Sequence, residues 1–149
     1  MMNWTNLILL LFLFVNAVAA QQNPVSWSFD AKKISDQEYD LVLTASVANG
    51  WYIYSQYLDS DEGPIPTAFK FEPDTFELVD KTREEGRKKE GFDELFGMNI
   101  VKFSGKVQFI QRIKLTGSLK VVKGNLEYMT CDDESCLPPT DVPFEIPLK

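Results

Sequence analysis

The chain has 149 residues, a formal net charge of -7 and no histidine. The absence of histidine excludes Ser-His and Cys-His nucleophile pairs and imidazole metal sites. The acidic balance argues against a nucleic-acid partner, which requires lysine and arginine to neutralise phosphates. The glycines stand singly along the chain, so no glycine-rich phosphate loop is present.

The amino terminus has the pattern of a secretory signal peptide. Residues 7–15 are almost uninterrupted apolar residues, and small residues follow at positions 17–20. This run is shorter than the roughly 20 apolar residues that a membrane span needs. We expect cleavage after Ala19 or Ala20, which divides the chain into a signal peptide (1–20) and one exported domain (21–149). The exported part has no second long apolar run, so we expect no stable membrane insertion after cleavage.

The rest of the chain has the pattern of short strands separated by turn residues. Alternating apolar and polar residues predict strands, and Asn49-Gly50 is typical of a hairpin turn. The predicted strands are 25–29, 39–47, 51–55, 67–71, 76–80, 101–104, 106–115, 119–122, 125–130 and 142–148. Many short strands without a helical period predict an all-β protein, and we favour a sandwich over a barrel.

Two details of this pattern have a specific interpretation. Lys123-Gly124 predicts a turn between two of the strands. Pro143 and Pro147 predict that the last strand is irregular or lies at an edge, because proline cannot donate to the sheet.

Residues 81–91 break the alternation because they are dense in charge, and we predict a solvated loop there. They lead to three large apolar residues, Phe92, Leu95 and Phe96. One interpretation is an exposed contact surface, since exposed apolar groups usually mark one. The other is that these side chains pack into the sandwich as a short turn of helix. The pattern alone leaves both open.

Cys131 and Cys136 are the only cysteines, and an exported pair is expected to be oxidised for part of its life. Closing a ring of about six residues contributes only about 2 kcal/mol of stability, and tight bridges on hairpins are readily exchanged. The spacing therefore favours redox exchange. A purely structural bridge stays an alternative, whereas a metal site is disfavoured because zinc usually takes four Cys or His ligands.

The pair differs from a thioredoxin-type site, in which two residues separate the cysteines and a helix begins. Here four residues intervene, and Pro138-Pro139 prevents a helix from continuing through the second cysteine. The acidic residues Asp132, Asp133 and Glu134 disfavour a thiolate beside them. We therefore expect a dithiol that reacts slowly with random oxidants and depends on a docked partner.

The segment 128–139, with its paired cysteines and trailing Leu-Pro-Pro, resembles the amino-terminal periplasmic domain of the DsbD thiol:disulfide interchange protein family. Residues 93–97, Asp-Glu-Leu-Phe-Gly, look like the cap loop of that family. Residues 51–55 are similar to its aromatic strand near the active site. The resemblance implies an immunoglobulin-like β-sandwich that carries the cysteine pair on a hairpin, works in the periplasm and uses no cofactor or metal.

The resemblance also implies roles for particular residues. Cys131 and Cys136 would be the redox pair, and Cys136 would bond the partner. Leu95 and Phe96 would form an apolar lid over the sulfurs that opens when a partner docks.

Further residues are implied around the sulfurs. Asp93 and Glu94 would lie close to the thiols, and Tyr52 and Tyr54 would form the aromatic wall of the site. The chain departs from the family pattern in having four instead of five residues between its cysteines. It also has Leu95 where an aromatic residue stands at the cap tip.

The implied function is electron relay. The donor would be a membrane-embedded thiol reductase or a thioredoxin-like domain. The acceptor would be a periplasmic disulfide isomerase or a thioredoxin-like protein of cytochrome c maturation. Because the chain ends after the sandwich, we expect the donor to be a separate polypeptide. A different class stays open, a non-catalytic immunoglobulin-like adaptor whose hairpin bridge is structural, although an adaptor has no need of a lid over its sulfurs.

Overall fold

The computed structural model describes residues 23–149, so the expected signal peptide lies outside the described residues. The described part of the chain has no helix long and apolar enough to cross a membrane. Its strands are β1 (Val25–Lys33), β2 (Glu38–Val47), β3 (Tyr52–Tyr54), β4 (Ala68–Phe71), β5 (Phe76–Asp93), β6 (Met98–Leu115), β7 (Val121–Tyr128), β8 (Thr130–Cys131) and β9 (Thr140–Pro147).

These strands form two antiparallel sheets. The larger sheet has the order β1-β2-β6-β3-β8, with β5 also paired to β6, and the smaller sheet has the order β4-β7-β9. The all-β sandwich predicted from the alternation is confirmed. The last strand, β9, lies at the edge of its sheet, as Pro143 and Pro147 predict.

The main core lies between the sheets and follows the alternation of β2. Leu41, Leu43 and Ala45 are fully buried, and they belong to one cluster with Leu126 of β7 and Ile146 of β9. Each fully buried leucine or isoleucine contributes about 1.5–3 kcal/mol relative to an exposed one. The period of two along β2 therefore fixes which face of the larger sheet meets the smaller one.

The charged segment is where the predicted elements were wrong. Residues 81–91 are not a loop, because they continue β5, which pairs with β6 in one long hairpin. Residues 85–92 are exposed along their whole length. Their side chains therefore lack the buried-exposed alternation that identifies a strand in a sequence. Backbone pairing with β6, not burial of side chains, makes this segment a strand.

The two strands predicted at 101–104 and 106–115 form the single strand β6, which changes partners along its length. Its carboxyl-terminal part pairs with β2, and its amino-terminal part pairs with β3. Between these parts lies Gly105, whose φ of 65° favours glycine. The register of β5 shifts opposite this point, between Gly86 and Arg87. The hairpin can therefore leave the main core and reach the end of the sheet where the cysteines lie.

The predicted turn at Lys123-Gly124 was also wrong, because both residues lie inside β7. A Cβ atom at Gly124 would collide with the ring of Phe144 and with the carbonyl of Lys70. Glycine is required here for close packing of three strands, and not for a turn.

This packing gives a test of the core. Replacement of Gly124 by alanine should lower the free energy of unfolding by about 1–3 kcal/mol, because the added methyl group overpacks the Phe144 ring. Lys123→Ala, on the exposed neighbouring residue, is the control and should change stability by less than about 0.5 kcal/mol. Urea unfolding followed by tryptophan fluorescence measures both. Equal stability of the two variants would contradict the packing role of Gly124.

Candidate functional site

Cys131 and Cys136 are joined by a disulfide, with an S–S distance of 2.06 Å. They also face each other as an antiparallel bridge, so the pair lies on a tight hairpin, as the sequence predicts. The backbone N–H of Asp132 donates to the carbonyl of Ser135 at 3.0 Å inside the ring. This hydrogen bond closes the four-residue loop between the cysteines.

The side chain of Asp132 organises the same loop. One of its oxygens accepts the backbone N–H groups of Glu134 at 2.8 Å and Ser135 at 2.7 Å. These two N–H groups hold the pKa of Asp132 below its usual value. A carboxylate next to Cys131 therefore stays ionised over the physiological range, and it disfavours a second negative charge on the sulfurs.

The strand β3 places aromatic residues beside the cysteines. Tyr52 is paired with Cys131, and Tyr54 is paired with Lys102 of β6. Directly opposed residues of antiparallel strands point to the same face, as do residues two apart on one strand. These four side chains therefore share one face of the larger sheet. Ile53 lies on the other face, where it belongs to the main core.

Tyr54, Ile100 and Cys131 form a second buried cluster, distinct from the main core. Partly buried apolar side chains complete it: Leu58, Phe96, Met98, Met129 and Cys136. Cys131 has no exposed surface, whereas Cys136 is only half-buried. The disulfide is therefore accessible from the side of Cys136.

Burial gives Tyr54 a defined protonation state. Desolvation raises the pKa of Tyr54 strongly, and the nearby carboxylates of Asp93 and Asp133 raise it further. The phenol is therefore neutral over the physiological pH range. Tyr54 contributes an uncharged aromatic wall to the cysteine cluster.

The cap is the tight turn at the tip of the β5–β6 hairpin, residues 93–98. Gly97 closes it with a φ of 65°, and its N–H donates to the carbonyl of Asp93 at 2.8 Å. The ring of Phe96 lies edge-on to Tyr54, with 5.7 Å between ring centroids. The cap therefore lies against the cysteine cluster.

The apolar residues near this tip divide between the two interpretations that the sequence left open. Phe96 packs into the cluster, but in a turn and not in a helix. Leu95 is 38% exposed and Phe92 is 68% exposed, and both line a groove that the cysteine hairpin also borders. The part of the tip that packs on the cysteine cluster is therefore Phe96, whereas Leu95 and Phe92 stay exposed.

A buried ion pair fixes the base of the cap. Lys102 Nζ donates to Asp93 Oδ2 at 2.6 Å, and each side chain is 9% exposed. The other carboxylate oxygen accepts the N–H of Leu95 at 3.0 Å. The ammonium also lies over the ring of Tyr52, 4.1 Å from its centroid. The pair thus joins the cap to both β6 and β3.

The sequence analysis did not identify Lys102. The available signal was a single lysine within the largely apolar segment 100–103 of a strand, which has the buried neighbours Ile100 and Phe103. A charge at such a position is rarely left without a partner.

The cap and the cysteine hairpin border one groove of about 310 Å³. Asp93 and Glu94 line it from the cap, and Asp132 and Asp133 line it from the hairpin. The two cap acids that the resemblance implied therefore lie across a groove from the cysteine loop. No group of three or more His, Cys, Asp or Glu side chains within residues 23–149 could hold a metal ion.

Fold and site together define an immunoglobulin-like sandwich with a capped, hairpin-borne disulfide at one end of its larger sheet. The family model for the amino-terminal domain of the thiol:disulfide interchange protein DsbD matches residues 18–147. The chain belongs to this family, whose chemistry is thiol–disulfide interchange. No curated protein matches the chain.

Two solved structures show the same fold. The reduced amino-terminal domain of DsbD from Neisseria meningitidis is 22% identical with a TM-score of 0.50, and the match covers 81% of this chain and 84% of that one. The amino-terminal periplasmic domain of ScsB from Proteus mirabilis is 20% identical with a TM-score of 0.55. That match covers 81% of this chain and 44% of the ScsB chain, so this chain spans less than half of the ScsB structure.

The ion pair at the cap gives a pH dependence with a definite sign. Burial alone would raise the pKa of Asp93, but the hydrogen bond and charge of Lys102, with the N–H groups of Leu95 and Phe96, hold it below its usual value. A lowered pKa in the folded state contributes stability above the unfolded value of about 3.9. This contribution is lost as the pH falls through the folded value.

Asp93→Asn should therefore be less stable than the unmodified protein at pH 7, by about 2 kcal/mol, the scale of a hydrogen bond to a charged group. The difference should shrink as the pH falls below about 4, because protonation removes the charge of Asp93 from the unmodified protein as well. Asp61→Asn, at an exposed turn residue, is the control. Urea unfolding at several pH values measures the difference, and a difference that stays constant down to pH 3 would contradict the assignment.

Proposed function

We propose that this protein is a thiol–disulfide carrier of the periplasm, which receives electrons from a membrane-embedded thiol reductase or thioredoxin-like domain and passes them to oxidised periplasmic proteins. The acceptors in this proposal are a disulfide isomerase or a thioredoxin-like protein of cytochrome c maturation. Membership of the DsbD amino-terminal family supports the class of chemistry. The signal-like amino terminus, with cleavage after Ala19 or Ala20 and an exported domain of residues 21–149, supports the compartment.

The observation that carries the proposal is the unequal burial of the two sulfurs. A bridge that served stability alone would gain nothing from one accessible cysteine. Here Cys131 is fully buried, and Cys136 is half-buried beneath a cap that packs on the same cluster. This asymmetry suits a reaction in which a partner bonds one defined sulfur.

Reduction of the bridge then proceeds by two exchanges. A thiolate of the donor attacks Cys136 Sγ, and the electron pair of the broken bond goes to Cys131 Sγ, which takes up a proton. The second thiol of the donor attacks the mixed disulfide and releases the Cys136 thiolate, which takes up the second proton. Two electrons and two protons reach this protein, and the donor leaves as a disulfide.

Delivery to the acceptor reverses these roles. The Cys136 thiolate attacks the acceptor disulfide, and Cys131 resolves the mixed disulfide. The ionised Asp132 lies in the same ring, and its negative charge disfavours a thiolate beside it. Exchange with random oxidants is therefore slow, and a docked partner that offers positive charge accelerates it.

Trapping with single-cysteine variants tests the proposal. Cys131→Ser, which keeps Cys136, should form at least about tenfold more mixed disulfide with an oxidised thioredoxin-like protein than Cys136→Ser, because access limits the exchange. Non-reducing electrophoresis and mass spectrometry measure the adducts. A variant without either cysteine is the control for non-covalent binding.

The reduction potential separates the carrier from an adaptor with a structural bridge. Equilibration with glutathione should give a potential above about -300 mV, the range of exchangeable disulfides. A potential below this value, together with no adduct from either single-cysteine variant, would contradict the carrier function.

The different burial of Phe96 and Leu95 at the tip of the cap gives a second test. Phe96→Ala should accelerate reduction of the bridge by dithiothreitol about tenfold or more, because it removes the large side chain that covers the cysteine cluster. Leu95→Ala removes an exposed side chain from the same turn and should leave this rate nearly unchanged. Both rates can be measured by stopping the reaction at set times, alkylating the free thiols and analysing the products by mass spectrometry. Equal effects of the two variants would contradict the assignment of the cover to Phe96.

A further inference from the structure

We propose that Lys102 is a positioning residue of the exchange reaction, which holds the cap closed over the disulfide through its buried ion pair with Asp93. The inference rests on the proposed thiol–disulfide function and adds a residue to it. Lys102 is not proposed to act on either cysteine directly. It acts through the cap, by setting how often Phe96 leaves the sulfurs.

The first support is the position of the ammonium where three elements meet. Lys102 lies on β6, Asp93 ends β5 at the base of the cap, and Tyr52 lies on β3 opposite Cys131. The ammonium is 2.6 Å from the carboxylate and 4.1 Å from the centroid of the Tyr52 ring. One side chain therefore connects the cap to the strand that pairs with the cysteine strand.

The second support is that the same carboxylate shapes the cap turn. Asp93 uses one oxygen for Lys102 and the other for the N–H of Leu95. The residue after Leu95 is Phe96, which packs against Tyr54. Removing the ammonium leaves the Asp93 carboxylate buried without a counter-charge, which is energetically unfavourable. Rotation of the cap exposes this carboxylate to water and removes the unfavourable burial. Phe96 moves with the cap because they belong to one turn.

The third support is the contrast with a nearby lysine. Lys89 Nζ also lies over the Tyr52 ring, at 5.8 Å, and lines the same groove. Lys89 is exposed, however, and forms no ion pair with another described residue. The two lysines bring the same charge to the same ring, but only Lys102 is bonded to the cap. They form a matched pair for separating attachment of the cap from local charge.

The measured reaction is reduction of the bridge by dithiothreitol under native conditions, which needs no protein partner. Its thiolate attacks Cys136 Sγ and releases Cys131 as a thiolate. The second thiol of the reagent then closes its own ring, so that two electrons pass to the protein. The rate reports how often the cap exposes the sulfurs, and Phe96→Ala provides the reference for an uncovered bridge.

Lys102→Met and Asp93→Asn should both accelerate this reduction, each by about tenfold or more, because each leaves one member of the buried pair without its partner. The two variants change the local charge in opposite directions. If local charge governed the rate, Lys102→Met would slow the attack of the anionic reagent and Asp93→Asn would accelerate it. Acceleration by both is therefore the signature of the cap attachment, and opposite effects would overturn the proposal.

Two control variants separate loss of the ion pair from loss of a nearby charge and from a general loss of stability. Lys89→Met removes the matched charge without breaking the pair and should leave the rate unchanged. Arg112→Met breaks another partly buried pair, with Asp40 of β2, away from the cap, and should lower the free energy of unfolding without accelerating reduction. If either control accelerates reduction as much as Lys102→Met, the acceleration does not depend on the Lys102–Asp93 pair, and the proposal is overturned. The same is true if Lys102→Met leaves the rate unchanged.

A double variant keeps the test valid if Lys102→Met alone does not fold. Lys102→Met combined with Asp93→Asn carries no unpaired buried charge, and it should be reduced no faster than Asp93→Asn alone, because both changes remove one interaction. If the double variant is reduced faster than Asp93→Asn, the proposal is overturned. Failure of the carrier function would appear separately, as the absence of protein adducts with the single-cysteine variants, while these dithiothreitol rates would still report on Lys102.

Discussion

The site depends on one constraint, the exchange of partners along β6. Its carboxyl-terminal part pairs with β2 and closes the main core, and its amino-terminal part pairs with β3, which in turn pairs with the cysteine strand β8. Phe103 and Phe109 point into the core, so Lys102 and Ile100 point to the opposite face. That face of a sandwich ordinarily meets water. Here the tip of the β5–β6 hairpin covers it and creates a second, small buried cluster around a sulfur.

This arrangement separates stability from reactivity. The main core between the sheets contains neither cysteine, so opening the cap disturbs few of the contacts that hold the sandwich together. The cap itself is held by the ring of Phe96, by the side chain of Met98 and by one ion pair. The ionised Asp132 places a negative charge in the ring between the cysteines, and a neighbouring negative charge disfavours a thiolate. In the proposed function, cover and charge protect the pair by independent means, and a partner has to overcome both.

The sequence predicted those features that depend on short-range patterns. The alternation in β2 and the tight cysteine ring were identified from residues close together in the chain, and the cap residues 93–97 were identified from the family resemblance. Asn49-Gly50 does form a turn, but the hairpin predicted there was wrong, because β2 pairs with β1 and β6 whereas β3 pairs with β6 and β8. Residues 81–91 were predicted as a loop, because the greater part of this segment, residues 85–91, is exposed on both faces and has no alternation. Gly124 was misassigned because its reason is the ring of Phe144, twenty residues away. Lys102 was missed for the same cause, since its partners Asp93 and Tyr52 are brought to it only by the hairpin and by β3.

A buried ion pair is also a physically suitable attachment for a cap that has to open. Taking two charges out of water cancels most of their attraction, so an intact buried pair adds little net stability. Fully burying a phenylalanine contributes about 1.5–3 kcal/mol, and Phe96 is only partly buried, so its contact contributes less than this to closing the cap. A larger apolar contact would make opening costlier in proportion to its area. An ion pair instead selects one closed position of the cap. If the cap closes in another position, Lys102 and Asp93 are buried without each other, and that state is strongly unfavourable. When the cap opens fully, water solvates both charges again. The pair can therefore position Phe96 closely while adding little to the free energy that a docking partner must supply.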